Sequence, residues 1–467
     1  MKRSTSTRTR HALPARRLPS RAERMALGRD LRNRCHRTEH AAWKPFAKRP
    51  DPVALLKRSS EGRIPDLVPI RYGRMLVSPF TFYRGAALQM AADLASTPAT
   101  GLRVQACGDC HLMNFGAFGT PERRVIFDIN DLDETLPAPW EWDVKRLATS
   151  FVLAARDNGY SAEQARECAM ECIRSYREHM AEYADMNALE VWYSSIDIDT
   201  LAGMVSDKRT QRRLQDRLSE AKGRRVAEHD FPKLVSMDGG RPIIRDNPPL
   251  IYHLREHAQR GFDAVLRAAF AAYRESLPEH RRLLLDRYRV QDIAHKVVGV
   301  GSVGRACGIL LLMADESDPL FLQVKEAAAS VLEPYAGSSR HPNHGQRVVM
   351  GSHLMQAASD LFLGWTEGQR GRHFYVRQLR DVKLSAMVET FSPATMRTYA
   401  DACGWTLARA HARSGDPCAL SGYLGKKGVL DEAIGAFAVA YADQVERDYD
   451  VLKKAVRAGT LPVQREA

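Results

Sequence analysis

Asp109, Asn114 and Asp128 are the residues whose types and spacing could do chemistry in this chain of 467 residues. The first two belong to Gly108-Asp-Cys-His-Leu-Met-Asn114, the third to Val125-Ile-Phe-Asp128-Ile-Asn-Asp131-Leu-Asp133. An aspartate, an asparagine five positions on and a second aspartate at a strand end are the parts of a phosphoryl-transfer site. One carboxylate orients or deprotonates an acceptor hydroxyl, and the other two side chains offer hard oxygen ligands to Mg²⁺. Asp109 is therefore expected to be catalytic, with Asn114 and Asp128 as metal ligands. Asp131 and Asp133 crowd the same strand end, and several carboxylates at one place repel each other unless a cation sits among them. Taken singly, each residue also fits a plain polar turn, with Asp109 capping and Asn114 bonding backbone.

A second constellation lies about 190 residues later. Gly299-x-Gly301-Ser302-x-Gly304 is followed by an apolar run at Ile309 to Met313, a polar turn, and Leu320 to Lys325. Strand, glycine-rich loop, strand, turn and a strand ending in lysine is the order of a kinase nucleotide lobe. Glycines let the backbone close over phosphates, and the lysine reaches the α- and β-phosphates. Gly299, Gly301, Ser302, Gly304 and Lys325 are thus the expected ATP-binding residues. The rival is a dinucleotide-binding fold in an oxidoreductase. It needs a helix directly after Gly304 and an acidic residue about 20 positions on, where Glu326 stands. Segment 305–325 decides between them: a hairpin excludes the dinucleotide fold. Cys107-Gly-Asp-Cys110-His111 also spells a haem-attachment or half-zinc string. No export signal or second Cys-x-x-Cys accompanies it.

The elements that must hold these residues follow from periodicity and breakers. Helices are expected over 79–95, from Asp143 to Asn158-Gly159, and over 161–185, 346–364, 393–413 and 430–457, with a helix-rich stretch at 255–290. From Asp143, Val144, Leu147, Ala148, Phe151, Val152 and Ala155 form one helical stripe. Strands are expected at Arg124 to Asp128, His295 to Val298 and His373 to Leu379, with a short stretch at Val104 to Ala106 entering the Gly-Asp-Cys-His turn, a turn at Asp238-Gly-Gly240 and a break in the chain at Pro137 and Pro139.

The formal charge of +13 is concentrated: residues 1–40 hold twelve Lys/Arg against three Asp/Glu. That segment lacks an apolar core of the signal-peptide kind and reads as a solvated, disordered tail, open to non-specific nucleic-acid contact but without interleaved aromatics. No apolar run is long enough for a membrane span. Eight scattered cysteines without a secretory signal point to a reducing cytoplasm rather than a disulfide framework.

The strings Gly108-Asp109-x-His111-x-x-Asn114, Ile126-Phe-Asp128 and Trp142-Asp143-Val-Lys-Arg-Leu147-Ala resemble the aminoglycoside/choline kinase branch of the protein-kinase-like superfamily. The resemblance implies Asp109 as base, Asn114 and Asp128 on metal, and Asp143 opening a supporting helix. Over residues 25–455 the chain also resembles an uncharacterised, mainly bacterial family, the domain of unknown function DUF2252, through Phe82-Tyr-Arg-Gly-Ala, the Gly-Asp-Cys-His segment, Phe321 to Ala327 and Phe374 to Arg380. Kinases place the glycine loop and lysine before the catalytic loop; here the order is reversed. The expectation is therefore an α+β, bilobal, circularly permuted kinase-like fold. It comprises a basic tail (1–40), a helical catalytic lobe (41–290), a β-rich nucleotide lobe with hinge (291–380) and C-terminal helices (381–467). The expected function is ATP- and Mg²⁺-dependent phosphoryl transfer to an unidentified acceptor, small molecule or protein. The alternative is a catalytically weak pseudokinase or nucleotide-sensing scaffold. Helix 346–364 lacks the glutamate that pairs with a kinase lysine, leaving Gln356, Asp360 or Glu333 as substitutes.

Overall fold

A computed structural model describes residues 17–205, 208–223, 230–248, 250–253, 262–297, 299, 301–379 and 382–464. The protein is a mixed α+β structure in which a helical body carries one six-stranded antiparallel sheet unit. No helix among the described residues is long and apolar enough to cross a membrane. All eight cysteines are free and buried.

The centre of the body is the helix Trp140–Asp157. It starts three residues before Asp143, which lies in its first turn. Its apolar positions Val144, Leu147, Ala148, Phe151, Val152 and Ala155 are all fully buried, but so are Glu141, Asp143, Lys145, Arg146, Thr149 and Ser150. The expected one-sided stripe is in fact a helix enclosed on every side, between Ala162–Asp185, Pro393–Ser414 and Val429–Arg457. A polar residue in such a helix must find partners inside the protein, and this one uses its polar residues to build the site described below.

Strand β1 (Arg103–Ala106) leads into the Gly108-Asp109 turn. Strands β2 (Phe115–Gly119) and β3 (Val125–Ile129) form a hairpin, and β4 (Leu136–Pro139) returns to pair with β1. Short strand β5 (Ile196–Asp197) covers the other edge of β3. The expected helix over 79–95 is two helices, Pro79–Gly85 and Ala87–Leu94. They break where the chain passes so close to Met75 that a Cβ on Gly85 would lie 2.6 Å from its sulfur.

The sheet unit contains β6 (Ile251–Tyr252), β7 (Arg289–Lys296), β8 (Cys307–Met313), β9 (Pro319–Ala327), β10 (Gly364–Glu367) and β11 (His373–Gln378), in the spatial order β10-β11-β9-β8-β7-β6. Side chains alternate between faces along each strand. Leu310, Leu312, Leu320, Leu322 and Val376 pack with Tyr273, Leu277 and Leu285 of the helices Phe262–Ser276 and Glu279–Leu285. Ala294, Ile309, Leu311, Met313 and Phe321 pack with Val235 and Ile244 of a hairpin at Val235–Asp238 and Arg241–Ile244. The unit therefore recruits segments well before residue 291. The helix expected at 346–364 spans His344–Met355 only, and Gly364 already begins β10.

Residues 1–16 of the expected tail lie outside the described residues. The rest of it is structured: Arg21–Asp30 is a helix opened by a Ser20/Glu23 capping box. Arg32 and Arg37 then donate to the Tyr423 (3.0 Å) and Leu424 (2.8 Å) carbonyls of the helix Pro417–Leu424. Those arginines are docking residues, which charge counting alone read as solvated.

Asp128 closes the fold rather than facing solvent. Every residue of β3 is buried. The Asp128 Oδ1 accepts from Arg409 Nη2 at 2.6 Å, with both side chains at 0% exposure, and Oδ2 accepts from the Ala357 N–H at 2.7 Å. Arg409→Met would leave this carboxylate buried and uncompensated. Breaking a buried pair from one side costs roughly 3–5 kcal/mol, so urea unfolding should show a loss of that order, with Asp128→Asn in the same chain recovering part of it.

Candidate active site

The Asp109 turn is held by the buried helix beneath it. Gly108 has φ +84°, and a Cβ there would lie 2.4 Å from the Glu134 carbonyl oxygen, so only glycine fits. The Asp143 carboxylate accepts from the N–H groups of Cys107 (2.6 Å) and Gly108 (3.0 Å). His411 Nε2 lies 3.2 Å from the same carboxylate, and the Tyr176 hydroxyl lies 2.9 Å from His411 Nδ1. Asn114 Nδ2 donates to the Asp109 carbonyl at 2.8 Å. Arg146, three residues after Asp143 and on the same helix, grips the Asp109 carboxylate through Nε at 2.9 Å and through Nη2. Arg146 is itself fixed by the Tyr83 carbonyl (3.1 Å) and lies over the Tyr83 ring at 4.4 Å. His111 Nε2 stands 3.9 Å from the other Asp109 oxygen. Burial pushes the His111 imidazole down to about 3, so it is neutral at physiological pH.

Lys325 leaves β9 toward the loop that follows β3. Its Nζ lies 2.7 Å from Asp133 Oδ2 and 3.6 Å from Asp131 Oδ2. The Tyr375 hydroxyl donates to Asp133 Oδ1 at 2.6 Å, and the Ser302 hydroxyl to Oδ2 at 3.3 Å. Burial alone would raise the Asp133 carboxyl. The charge and hydrogen bond of Lys325, with the Tyr375 hydroxyl, hold it well below the ordinary carboxylate range. Burial and then the neighbouring Asp133 charge push Asp131 the other way. The loop is locked from behind by Arg347, which donates to the carbonyls of Thr135 (2.6 Å), Asp133 (2.8 Å) and Ala328 (2.9 Å).

The glycine-rich loop lies against the body. Arg63 Nη1 donates to the carbonyls of Gly301 (2.7 Å) and Val303 (2.5 Å), the Ile64 N–H to that of Gly304 (2.8 Å), and Arg74 to that of Gly299. Gly301 sits beside Asp109: a Cβ there would be 3.8 Å from Asp109 Oδ2. Asp109, Asn114, Asp131, Asp133, Gly299, Gly301 and Ser302 all line one cavity of about 430 Å³.

The structure thus brings Asp109 and Asn114 into one cavity with the glycine loop. Lys325 reaches that cavity's wall through Asp133, and Gly304 anchors the loop from behind. Asp128 is not among them, because Arg409 and Ala357 occupy its oxygens. Asp131 and Asp133 face the cavity instead. None of the proposed substitutes for a lysine-pairing glutamate touches Lys325. Gln356 donates to the Ile129 carbonyl, Asp360 accepts from the N–H groups of Phe362 and Gln378, and Glu333 accepts from the Ser330 N–H. Val298 and Val300, flanking Gly299, lie outside the described residues. The segment after Gly304 is the β8–β9 hairpin, in register from Cys307↔Lys325 to Met313↔Pro319, so the helix a dinucleotide-binding unit requires is absent there. Sequence reading gave no role to Arg146 or Tyr375, although Arg146 stands in the quoted Trp142-Asp-Val-Lys-Arg string, beside Asp143.

Arranged this way, the cavity offers a clamped carboxylate at Asp109, oxygen donors at Asn114 and Asp131, and, behind Asp133, a lysine. No group of three or more His, Cys, Asp or Glu among the described residues could hold a metal by itself. Mg²⁺ bound mainly through substrate phosphates needs only one or two protein oxygens, and Asn114 with Asp131 meets that requirement. The fold and cavity define an α+β protein with a charged cleft between a helical body and an antiparallel sheet. The family described as "Uncharacterized protein conserved in bacteria (DUF2252)" matches residues 63–455, and the chain belongs to it. No curated protein and no solved structure matches the chain.

The Asp133 carboxyl is depressed in the folded state, so its contribution to stability is complete above the unfolded aspartate range and disappears as pH falls through and below about 4. Asp133→Asn should therefore lower Tm at pH 7, by the equivalent of roughly 2–3 kcal/mol for a largely buried pair. The gap between wild type and variant should narrow on acidification below about pH 4. A gap independent of pH would show that the Asp133 charge carries none of it.

Proposed function

We propose that this protein is an ATP- and Mg²⁺-dependent phosphotransferase of permuted kinase-like design, with the sheet unit as nucleotide lobe and the helical body as catalytic lobe. The observation that carries the proposal is Lys325 at 2.7 Å from Asp133, at the cavity that also holds Asp109, Asn114 and the glycine loop. These segments are far apart in the chain and in the reverse of kinase order, yet they meet as a phosphoryl-transfer site needs. In this reading Lys325 and the loop from Gly299 to Ser302 hold the phosphates. Asn114 and Asp131, the latter in place of Asp128, would hold Mg²⁺, which neutralises charge on the phosphate oxygens. Asp109, oriented by Arg146, takes the acceptor's hydroxyl proton. The acceptor oxygen bonds to the γ-phosphorus as the bond to the ADP oxygen breaks.

A second reading, a nucleotide-sensing pseudokinase, is favoured by two features. The Asp109 carboxylate is engaged by Arg146, and Lys325 pairs with Asp133 rather than with a glutamate of its own sheet unit. Thermal shift with Mg²⁺-ATP, followed by ATP turnover against hydroxylated acceptors, separates the two. Asp109→Ala should lower turnover roughly 10²–10⁴-fold, about 3–5 kcal/mol of barrier, with nucleotide affinity little changed, whereas Lys325→Ala should weaken nucleotide binding. Unchanged turnover in Asp109→Ala would remove its assigned role.

A further inference from the structure

The same cavity is lined by several guanidinium groups, most of which form no ion pair among the described residues. Arg58, Arg63, Arg71, Arg84 and Arg305 all line it. Arg63 donates only to backbone carbonyls, those of Ser59 (2.9 Å), Gly301 and Val303. Arg71, at 1% exposure, donates to the Ser60 and Ser59 hydroxyls and the Gly85 carbonyl, and its Nε has no partner. Arg84 lies 5.9 Å over the Phe80 ring, with its buried Nε also unpartnered. Among the described residues no carboxylate forms an ion pair with Arg63, Arg71 or Arg84. Arg305 has only a 3.9 Å approach to Glu326, which Arg372 already engages. Glu134, also on the wall, accepts from the Val331 N–H at 2.7 Å.

Burial destabilises Arg63, Arg71 and Arg84, and neighbouring guanidiniums add to the cost at Arg63 and Arg71. Burial first, then Arg71 and Arg305, push Arg63 well below its ordinary value. Burial pushes Arg71 down to about 10, and Arg305 adds to that. Burial likewise lowers Arg84, whose one favourable charge partner is Asp109. Buried charges of one sign are costly unless something of the opposite sign joins them. Arginine forks match the oxygens of phosphate in geometry as well as charge.

We infer that the acceptor is itself a phosphate monoester, a small phosphorylated molecule with a free hydroxyl, whose phosphate is held by Arg84 and Arg305 with Arg63 behind them. This rests on the phosphotransferase reading and names its substrate class. The placement follows from the partners these groups have. Lys325 and Ser302 meet Asp133, where the nucleotide phosphates belong. Arg84 shares the cavity with Asp109, the one charge that favours it, and Asp109 is where the acceptor must present its hydroxyl. A cavity of about 430 Å³ lies within the range of small-molecule sites.

The test is calorimetric titration of the full chain with inorganic phosphate, with acetate, and with the non-hydrolysable analogue Mg²⁺-AMP-PNP. Phosphate should bind, acetate at least tenfold more weakly, and phosphate should still bind when the analogue is saturating. Arg84→Gln and Arg305→Gln should each weaken phosphate at least tenfold while leaving the analogue's affinity within about twofold. Arg305→Gln carries the result if Arg84→Gln does not fold. The inference is overturned if phosphate fails to bind, if acetate binds as tightly, if both variants bind phosphate normally, or if phosphate competes with the analogue. In that last case the guanidiniums serve the triphosphate and the phosphotransferase reading stands. If phosphate binds as expected but the analogue does not bind at all, it is the phosphotransferase reading that fails, and with it the acceptor role, leaving an anion site alone.

Discussion

The ion pair between Lys325 and Asp133 is the contact on which the site depends. Lys325 belongs to a sheet whose strands lie beyond residue 250, and Asp133 to the loop after β3. Both charges are drawn out of bulk water where the two units meet, and each makes the other's burial tolerable. A lysine alone at this position would lose its proton or its place; a pair of aspartates alone would repel. Tyr375 and Ser302 add hydrogen bonds to the same carboxylate, so strand β11, the glycine loop and the lysine strand all converge on one residue.

Behind this contact stands a scaffold of polar residues in the interior of the body. The helix Trp140–Asp157 supplies Asp143 to the Asp109 turn and Arg146 to the Asp109 carboxylate. The helix Pro393–Ser414 supplies His411 to Asp143 and Arg409 to Asp128. Such groups are expensive to bury and contribute little net stability compared with apolar packing. Their effect here is positional: they fix an aspartate, a turn and a loop with single, directional partners. A site built from a tight turn needs such supports, because apolar packing is non-directional and does not by itself orient the turn's polar groups.

Much of this was legible in the residues. The strand–loop–strand–lysine order located the hairpin. The Asp-x-x-x-x-Asn spacing located the Asp109 turn. What was not legible depended on partners remote in sequence. Asp128 reads as a strand-end ligand until Arg409, 281 residues away, takes one of its oxygens. Asp131 and Asp133 stood out only as crowding, because the cation that relieves them comes from another unit. Arg32 and Arg37 counted as tail charges because backbone carbonyls, their acceptors in the helix Pro417–Leu424, have no signature in a sequence. The enclosure of Trp140–Asp157 was hidden for a similar reason: periodicity reports a helix's apolar face, not what covers the polar one.

A double-mutant cycle on Lys325→Met and Asp133→Asn, read by urea unfolding of the full chain at pH 7, tests most directly whether these two distant segments form one site. Residues in one ion-pair network couple by about 0.5–3 kcal/mol, and the 2.7 Å contact places the expected value in the upper half of that range. Losses that simply add, with no coupling between the two substitutions, would contradict the meeting of the sheet unit and the Asp133 loop on which the site depends.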